Sequence, residues 1–398
     1  MFGLFKQQEN SQKGDKPPES DAELNTQLEA IRNRASIPTL WLFGKTGSGK
    51  SSIVRQLTGS TDATIGQGFR PETKFSRRYD FPNSEEPLLR FLDTRGLGEA
   101  YYDPTEDIQS FDSSSHLILV TVRLADHALD SLIGPFRQIR NAAPDRPVLL
   151  VLTCLHEASP ERDLSAGPEL VVETRADQPY PSEMSQPLKL LIDLKRKQFE
   201  GLFDNIALID FTHEEDGFAN NAFGEHVLKQ RILAMLPAAY RQTWAAAMAP
   251  RIEENSELSR SVHWQIMASS TLAATASAVP LPWVNMPIVL AIQTRMAKKI
   301  ASIYEQQMTS KHWIALSNVA GTQVVLRLAS RELLKFIPIV GIAASIAASF
   351  AFTYALGKVV DWYFSSQAQG KTPSDEELKT MFSDQLARGH QLWGKSPK

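Results

Sequence analysis

The sequence is poor in three features that would assign it to common protein classes. A single cysteine, Cys154, among 398 residues excludes an internal disulfide framework and predicts a reducing compartment. The formal net charge is −3, so no basic excess indicates nucleic acid as a partner. The opening segment Met1–Lys6 turns polar too soon for a secretory signal peptide. What remains is a chain with 42% hydrophobic residues, enough for a sizeable core in two or three domains.

The most informative pattern is the run Gly44–Ser51, which reads GKTGSGKS and fits the phosphate-binding P-loop G-x-x-x-x-G-K-[ST]. The apolar run Ile37–Phe43 before it predicts a strand, and Ser52–Leu57 after it predicts a helix. Glycines let backbone N–H groups approach phosphate oxygens, and the helix N-terminus adds its positive dipole end. The motif predicts that Lys50 reaches the β- and γ-phosphates and that the Ser51 hydroxyl ligates Mg²⁺. The predicted nucleotide-binding residues here are Gly44, Lys45, Thr46, Gly47, Ser48, Gly49, Lys50, Ser51 and Ser52.

A second motif separates GTPases from other P-loop proteins. The strand-like run Leu88–Leu92 ends in Asp93-Thr94-Arg95-Gly96, which has the D-x-x-G pattern and begins 43 residues after Lys50. The aspartate in this motif supports Mg²⁺, and the glycine N–H contacts the γ-phosphate. Asp93 is therefore a predicted metal residue, and Gly96 a predicted catalytic residue beside Lys50.

Strand-like runs alternate with helical patterns up to about residue 212, which predicts an α/β domain with a mixed, largely parallel sheet. No strand pattern follows, so the second half is predicted to be all-helical. Gly224–Met248 is predicted as one long helix that closes the first domain, and Asp375–Arg388 as a short helix in the tail. The predicted divisions are a polar tail with a short helix (1–36), the P-loop domain (37–246), a helical domain (247–366) and a polar tail (367–398). The predicted strands are Leu40–Phe43, Leu88–Leu92, Leu117–Val122, Val148–Leu152 and Ile206–Ile209, and the other predicted helices include Asp21–Arg34, Leu132–Ala142 and Leu188–Phe203.

The helical domain contains two long uncharged stretches. Phe336–Gly357 has 22 residues without a charge, and Ser261–Thr294 has 34, interrupted by three prolines. An uncharged run of 18 or more residues is a candidate membrane span. The proline-containing stretch predicts two shorter helices joined by a turn. Membrane association is the favoured interpretation, and a soluble bundle packed through Ala/Ser faces is the alternative.

With these motifs in view, Ile37–Pro237 resembles the translation-factor-related GTPases, particularly the Era-like branch. Residues 262–360 resemble the helical domain of unknown function attached to many bacterial Era-like GTPases. The residues that carry this second resemblance are Ala278–Pro282, Met286–Ile288, Gln293–Tyr304 and Ile337–Gly341.

The resemblance implies a GTPase that hydrolyses GTP to GDP and phosphate with Mg²⁺ and acts as a switch on a membrane-associating domain. The family's switch I threonine, which closes over Mg²⁺ and the γ-phosphate, best matches Thr73, with Thr64 and Thr61 as fallbacks. The implied location is the cytoplasmic face of the bacterial inner membrane, either peripheral or integral, with the cytoplasm as the alternative. A membrane lipid or inner-membrane protein is the implied partner, besides GTP and GDP.

Two departures from the family pattern bear on specificity and rate. The base-reading motif Asn/Thr-Lys-x-Asp is Thr153-Cys154-Leu155-His156 here, so either His156 or Glu157 substitutes for the aspartate, or selectivity is relaxed. Thr153 and His156 are accordingly predicted base-site residues. Leu97 replaces the water-orienting glutamine, so turnover is predicted to be slow without a partner or a homodimer. A nucleotide-binding module that has lost hydrolysis and a dynamin-like membrane remodeller are the alternative functions.

Overall fold

The computed structural model describes residues 21–60, 70–71, 76–94, 105–111, 114–158, 184–212, 222–248, 257–278, 285–312, 315–316 and 338–394. The strands are β1 (Thr39–Phe43), β2 (Arg70–Pro71), β3 (Ser76–Phe81), β4 (Leu89–Thr94), β5 (Leu117–Arg123), β6 (Val148–Thr153) and β7 (Asn205–Leu208). The helices of the first half are α1 (Asp21–Arg34), α2 (Lys50–Thr58), α3 (Thr105–Phe111), α4 (Asp130–Ala142), α5 (Gln186–Gln198), α6 (Glu225–Met235) and α7 (Ala238–Ala247). The helical half, as we call the rest, comprises α8 (Glu257–Ala278), α9 (Asn285–Ile303), α10 (Pro338–Ala368) and α11 (Asp375–Gly394).

The seven strands of the described ranges form one sheet in the order β2-β3-β4-β1-β5-β6-β7. Strands β4, β1, β5, β6 and β7 pair in parallel, whereas β2, β3 and β4 pair antiparallel. The predicted mixed and largely parallel α/β sheet is therefore confirmed. Because parallel strands point the same way, the carboxyl ends of β1, β4, β5, β6 and β7 meet at one edge, where ligands bind in open α/β sheets.

The two faces of the sheet have separate apolar cores. Along β1, Leu40 and Leu42 pack on one face, while Trp41 and Phe43 pack on the other, as the two-residue side-chain period of a strand requires. The second face is covered by α4 and α5. The first face is covered by α2 and α6, and its core continues without interruption into the helical half. The two halves of the chain consequently share one hydrophobic core.

The helical half is closely packed around α10. A Cβ atom on Gly357 of α10 would lie 2.7 Å from the Ile266 side chain of α8. A Cβ atom on Gly389 of α11 would lie 2.8 Å from Ala351 Cα of α10. Such approaches are possible only where glycine removes the side chain from the contact. Helix α11 buries Leu378 and Phe382, so the segment that looks like a polar tail in the sequence packs on the helical half.

Several helix boundaries differ from those predicted. The prediction of one helix over Gly224–Met248 is wrong, because α6 ends at Met235 and α7 begins at Ala238. Between them, Leu236 is extended (φ −65°, ψ 140°), since Pro237 disfavours the helical conformation of the residue before it. The Leu188–Phe203 helix runs instead from Gln186 to Gln198, and the tail helix extends to Gly394. The prediction of two helices around the three-proline stretch is matched by α8 and α9.

The structure describes most, but not all, of the two uncharged stretches that the sequence marks as candidate membrane spans. In the described part of the chain, no helix is both long and apolar enough to cross a membrane. The first two residues of the Phe336–Gly357 candidate lie outside the described ranges, and the rest falls within α10.

Candidate nucleotide-binding site

The P-loop lies between β1 and α2, at the carboxyl edge of the sheet. Gly47 (φ 78°) and Gly49 (φ 92°) have left-handed backbone conformations that residues with a Cβ atom rarely adopt. Gly44 is required for a different reason. A Cβ atom there would lie 2.5 Å from the Thr121 backbone oxygen and 2.1 Å from its Oγ1. The glycine spacing in the sequence thus corresponds to two backbone turns and one contact with β5.

Two threonines hold the P-loop in place from neighbouring strands. Thr121 Oγ1 of β5 lies 2.7 Å from Ser48 Oγ, and Thr153 Oγ1 of β6 donates a hydrogen bond to the Ser48 backbone oxygen at 2.9 Å. All three residues are buried. The predicted base-site residue Thr153 therefore supports the loop that binds phosphate. The sequence offered no signal for the part that Thr121 plays.

The predicted catalytic lysine and metal-binding aspartate are brought together. Lys50 Nζ donates hydrogen bonds to the backbone oxygens of Gly44 at 2.6 Å and Lys45 at 3.0 Å, and lies 3.7 Å from Asp93 Oδ1. Asp93, in β4, is 8% exposed. Ser51 is exposed in the first turn of α2. The hydroxyl of Ser51 and the carboxylate of Asp93 are the hard oxygen donors that Mg²⁺ prefers, so the residues present fit this metal.

The loop after β5 is tied to the P-loop by an ion pair and a hydrogen bond from Lys45, and Lys195 adds a second hydrogen bond. Lys45 Nζ donates to Asp126 Oδ2 at 3.0 Å and also to the Ala128 backbone oxygen, and the buried Lys195 donates to the Asp126 backbone oxygen. Burial opposes ionisation of Asp126, but the hydrogen bond from Lys45 and the charges of both lysines hold its pKa below the ordinary value. Burial lowers the pKa of Lys195, and the charge of Asp126 counteracts part of this effect. These contacts fix residues 126–128 beside the phosphate-binding loop.

A histidine and a carboxylate pair at the ends of β6 and β7. The His156 backbone N–H donates to Asp210 Oδ2 at 2.9 Å, and the His156 ring Nδ1 lies 2.7 Å from the same oxygen. Asp210 is 1% exposed, and its Oδ1 accepts a hydrogen bond from the Thr212 N–H at 3.1 Å. Sequence reasoning missed Asp210, although its position directly after a strand at the ligand-binding edge is a signal that could have found it. Cys154, with φ 55°, forms the turn that leads into this pair.

A cavity of about 380 Å³ opens beside the P-loop. Two of its lining residues are paired: Arg123 Nε donates to Glu157 Oε2 at 2.6 Å, and Arg123 Nη2 contacts Glu157 Oε1. His156 does not line this cavity. The lining residues are Lys45, Thr46, Gly47, Ser48, Arg123, Ala125, Asp126 and Glu157.

Several predicted site residues fall outside the ranges that the structure describes. They are the switch I candidate Thr73, its fallbacks Thr64 and Thr61, and Gly96 of the D-x-x-G run. Leu97, which replaces the water-orienting glutamine, also lies outside these ranges. Their roles in closing over the nucleotide stay predictions. Among the residues described, no group of three or more His, Cys, Asp or Glu side chains is placed to hold a metal ion.

Comparison with known families bears on the first half of the chain. Residues 39–154 match the family described as 50S ribosome-binding GTPase. This stretch begins at the first residue of β1 and includes the P-loop, Asp93 and Thr153. It is a P-loop GTPase domain, and the match supports a GTP hydrolase. A search of curated proteins gives no significant match.

Solved structures with some likeness include three proteins that share low identity with this chain. The bacterial selenocysteine-specific elongation factor EF-Sec has 16% identity and a TM-score of 0.30, and the match covers 50% of this chain and 28% of the factor. A GTP-binding protein from Sulfolobus solfataricus in complex with GDP has 16% identity and a TM-score of 0.26, and the match covers 54% of this chain and 56% of that protein. A dimerization-deficient mutant of Toc33 from Arabidopsis thaliana has 18% identity and a TM-score of 0.30, and the match covers 58% of this chain and 94% of Toc33. Superpositions this weak carry no argument about function.

Proposed function

We propose that this chain is a GTP-dependent switch in which the nucleotide site controls the helical half. One observation carries the proposal. The turn between β3 and β4, residues 82–88, contacts the helical half through the buried Glu86, while the other end of β4 carries Asp93. The GTPase domain therefore has a direct covalent path from its predicted metal residue to its contact with α8.

The path is short and stiff. Strands β3 and β4 pair continuously from Ser76 opposite Thr94 to Phe81 opposite Leu89. At ~3.3 Å per residue, the six residues of β4 span roughly 17–20 Å. A paired ribbon of this length transmits a displacement at Asp93 to the turn better than a loop would.

The contact at the turn is specific as well as apolar. Glu86 is 2% exposed, and its Oε2 accepts hydrogen bonds from Gln265 Nε2 at 2.5 Å and Ser269 Oγ at 2.8 Å. Lys299 Nζ of α9 lies 2.9 Å from Glu85 Oε2 and 3.9 Å from Glu86 Oε2. A buried carboxylate is costly when it loses its partners. Movement of the turn away from α8 would therefore destabilise the present arrangement of the two halves.

An aromatic contact accompanies these hydrogen bonds. The rings of Phe81 and Trp264 meet edge to face, with their centroids 4.7 Å apart. Trp264 is 3% exposed, so its ring is buried at the junction between the two halves.

In the proposed reaction, Lys50 exchanges its contacts with the P-loop carbonyl oxygens for oxygens of the β- and γ-phosphates. Ser51 and Asp93 would hold Mg²⁺, which when bound neutralises phosphate charge. Thr73 and Gly96 are proposed to close on the γ-phosphate and to relax after hydrolysis. Since Leu97 supplies no water-orienting amide, the proposed turnover is slow without a partner.

The activity is tested by phosphate release from GTP by the full-length chain and by its Lys50→Ala variant. We expect the variant to lose at least about 100-fold in rate, because one charge-stabilising donor typically contributes that much. Release that is insensitive to Lys50→Ala would contradict the proposal. No release, with Lys50-dependent binding retained, would favour the module that has lost hydrolysis.

The coupling is tested by amide hydrogen exchange in α8 with GDP and with a non-hydrolysable GTP analogue. In the wild-type chain we expect exchange to differ between the two nucleotides. Glu86→Gln should reduce the difference while turnover persists, and Glu200→Gln, at an exposed site, is the matched control. If α8 exchanges alike with both nucleotides in the wild-type chain, the switch proposal fails.

We propose further that the output of the switch is association with a membrane surface, at the cytoplasmic face of a bacterial inner membrane. The uncharged stretches and the resemblance of residues 262–360 support this. Since α10 packs against α8, α9 and α11, membrane contact in this proposal follows opening of the bundle. Sedimentation with anionic liposomes in the GTP-analogue state but not with GDP would support it, and equal sedimentation in both states would contradict it. Liposome-stimulated turnover would favour the dynamin-like alternative, and light scattering would detect the proposed homodimer.

A further inference from the structure

We infer that Glu157, and not His156, is the residue that recognises the nucleobase, and that its carboxylate selects guanine. The inference rests on the proposed binding of GTP and assigns the specificity of that site. The guanine-reading aspartate of related GTPases is replaced in the sequence, which leaves His156 and Glu157 as candidate substitutes. The structure separates these two candidates by their surroundings.

His156 is committed to a structural contact. Its backbone N–H and its ring Nδ1 both point to Asp210 Oδ2, at 2.9 and 2.7 Å. Asp210 is 1% exposed, so its carboxylate is buried between the ends of β6 and β7. The His156 side chain is 16% exposed and is absent from the lining of the cavity beside the P-loop. Turning the ring toward a ligand would leave the buried Asp210 carboxylate with fewer partners, which is unfavourable.

Glu157, in contrast, faces that cavity. Glu157 lines the same space as Lys45, Thr46, Gly47 and Ser48 of the P-loop. It lies four residues beyond Thr153, whose hydroxyl is bonded to the Ser48 backbone oxygen. The intervening Leu155 is fully buried and fixes the turn. The backbone that carries Glu157 is thus tied to the phosphate-binding loop.

The carboxylate has acceptor capacity to spare. Its two oxygens offer about four lone-pair sites, of which the two contacts from Arg123 occupy two. The Arg123 side chain is 50% exposed, so its guanidinium has room to turn toward solvent when a ligand enters.

The ligand class follows from the chemistry of the carboxylate. Guanine presents two adjacent donors, N1–H and the C2 amino group, which match the two oxygens of an ionised carboxylate. Adenine has an acceptor at N1, and xanthine has a carbonyl oxygen at C2, so each would place an acceptor against the negative charge. A site built on such paired hydrogen bonds rejects analogues that lack them more strongly than an apolar pocket does. Glu157 therefore predicts a preference for GTP over ATP and xanthosine triphosphate.

The test is equilibrium binding of GTP, ATP and xanthosine triphosphate to the full-length chain and its variants. In Glu157→Gln we expect GTP affinity to fall about 10- to 100-fold, as expected for loss of charge-assisted hydrogen bonds. Affinity for xanthosine triphosphate should rise in the same variant, because the new amide N–H can donate to the C2 carbonyl. The quantity to compare is the ratio of the two affinities within one preparation, which does not depend on the folded fraction.

His156→Gln is the matched comparison, and Glu200→Gln is the surface control. We expect both to keep the wild-type ratio of GTP to xanthosine triphosphate affinity. A changed ratio in His156→Gln with an unchanged ratio in Glu157→Gln would overturn the inference, as would no preference for GTP in the wild-type chain. If Lys50-dependent GTP binding persists while Glu157→Gln keeps the wild-type ratio, only the inference fails. If the wild-type chain binds no nucleotide, the proposed function fails with it.

Discussion

The substitution Gly389→Ala tests how the carboxyl-terminal helix α11 packs on α10. The added Cβ atom would lie 2.8 Å from Ala351 Cα and 3.0 Å from the Ala351 backbone oxygen. These are backbone atoms, which cannot move aside as a flexible side chain can. Carbon atoms pack at about 3.5–4.0 Å, so the two helices must separate locally by up to about 1 Å.

Two opposing effects set the magnitude. Alanine is favoured over glycine in a helix interior by about 0.8–1.0 kcal/mol. Overpacking a tight contact costs about 1–3 kcal/mol. Separation of the helices would also weaken the contact between Phe350 and Trp393, whose ring centroids are 4.6 Å apart, and such aromatic pairs contribute about 0.5–1.5 kcal/mol. The expected net result is a loss of about 1–2 kcal/mol in the free energy of unfolding.

The measurement is urea unfolding of the full-length chain, followed by circular dichroism at 222 nm. Ser383→Ala is the control, because Ser383 is exposed on the same helix and the change should be neutral or slightly stabilising. If Gly389→Ala proves as stable as the wild-type chain or more stable, then α11 does not pack on α10 at the described distance, and the reasoning fails.

Three further predictions concern the nucleotide site and the sheet. Thr153→Val removes the donor to the buried Ser48 backbone oxygen and should cost about 1–3 kcal/mol, seen as weaker GTP binding, whereas Thr153→Ser should retain most of the affinity. Gly44→Ala should weaken GTP binding more than Gly47→Ala, because a Cβ atom at position 44 would collide with the Thr121 backbone oxygen. A Cβ atom at position 47 would meet open space, and its left-handed backbone conformation would cost only about 1–2 kcal/mol. Equal effects of the two substitutions would contradict this reasoning. Burial lowers the pKa of His116 to about 4, so the unfolded chain takes up the proton first and stability should fall as pH drops from about 6.5 through 4. His116→Asn should flatten this part of the pH profile of the urea midpoint.

The parts of the fold that could be predicted depend on local patterns. Runs such as Leu117–Val122 and Val148–Leu152 coincide with strands to within a residue, because buried parallel strands are continuously apolar. The end of α6 was missed, although Pro237 was a usable signal. The docking of α11 could not have been predicted, since it depends on Gly389 meeting Ala351 of another helix.

In the candidate site, too, some features could be predicted from local sequence patterns and others could not. The P-loop spacing and the D-x-x-G run predicted that Lys50 and Asp93 serve one nucleotide, and the structure places Lys50 Nζ 3.7 Å from Asp93 Oδ1. The spacing could not predict whether His156 or Glu157 faces the cavity. That depends on Asp210, which lies 54 residues further along the chain.

By itself, the sequence determined the α/β class, the phosphate-binding loop and the helical second half, because each follows from residues close together in the chain. The tertiary structure alone decided how the two halves meet. Glu86 accepts a hydrogen bond from Gln265, which lies 179 residues further along the chain, and no local sequence pattern predicts that the two residues meet. A buried carboxylate finds its partners only when folding brings distant segments together, and here that contact joins the proposed switch to the helices it is proposed to control.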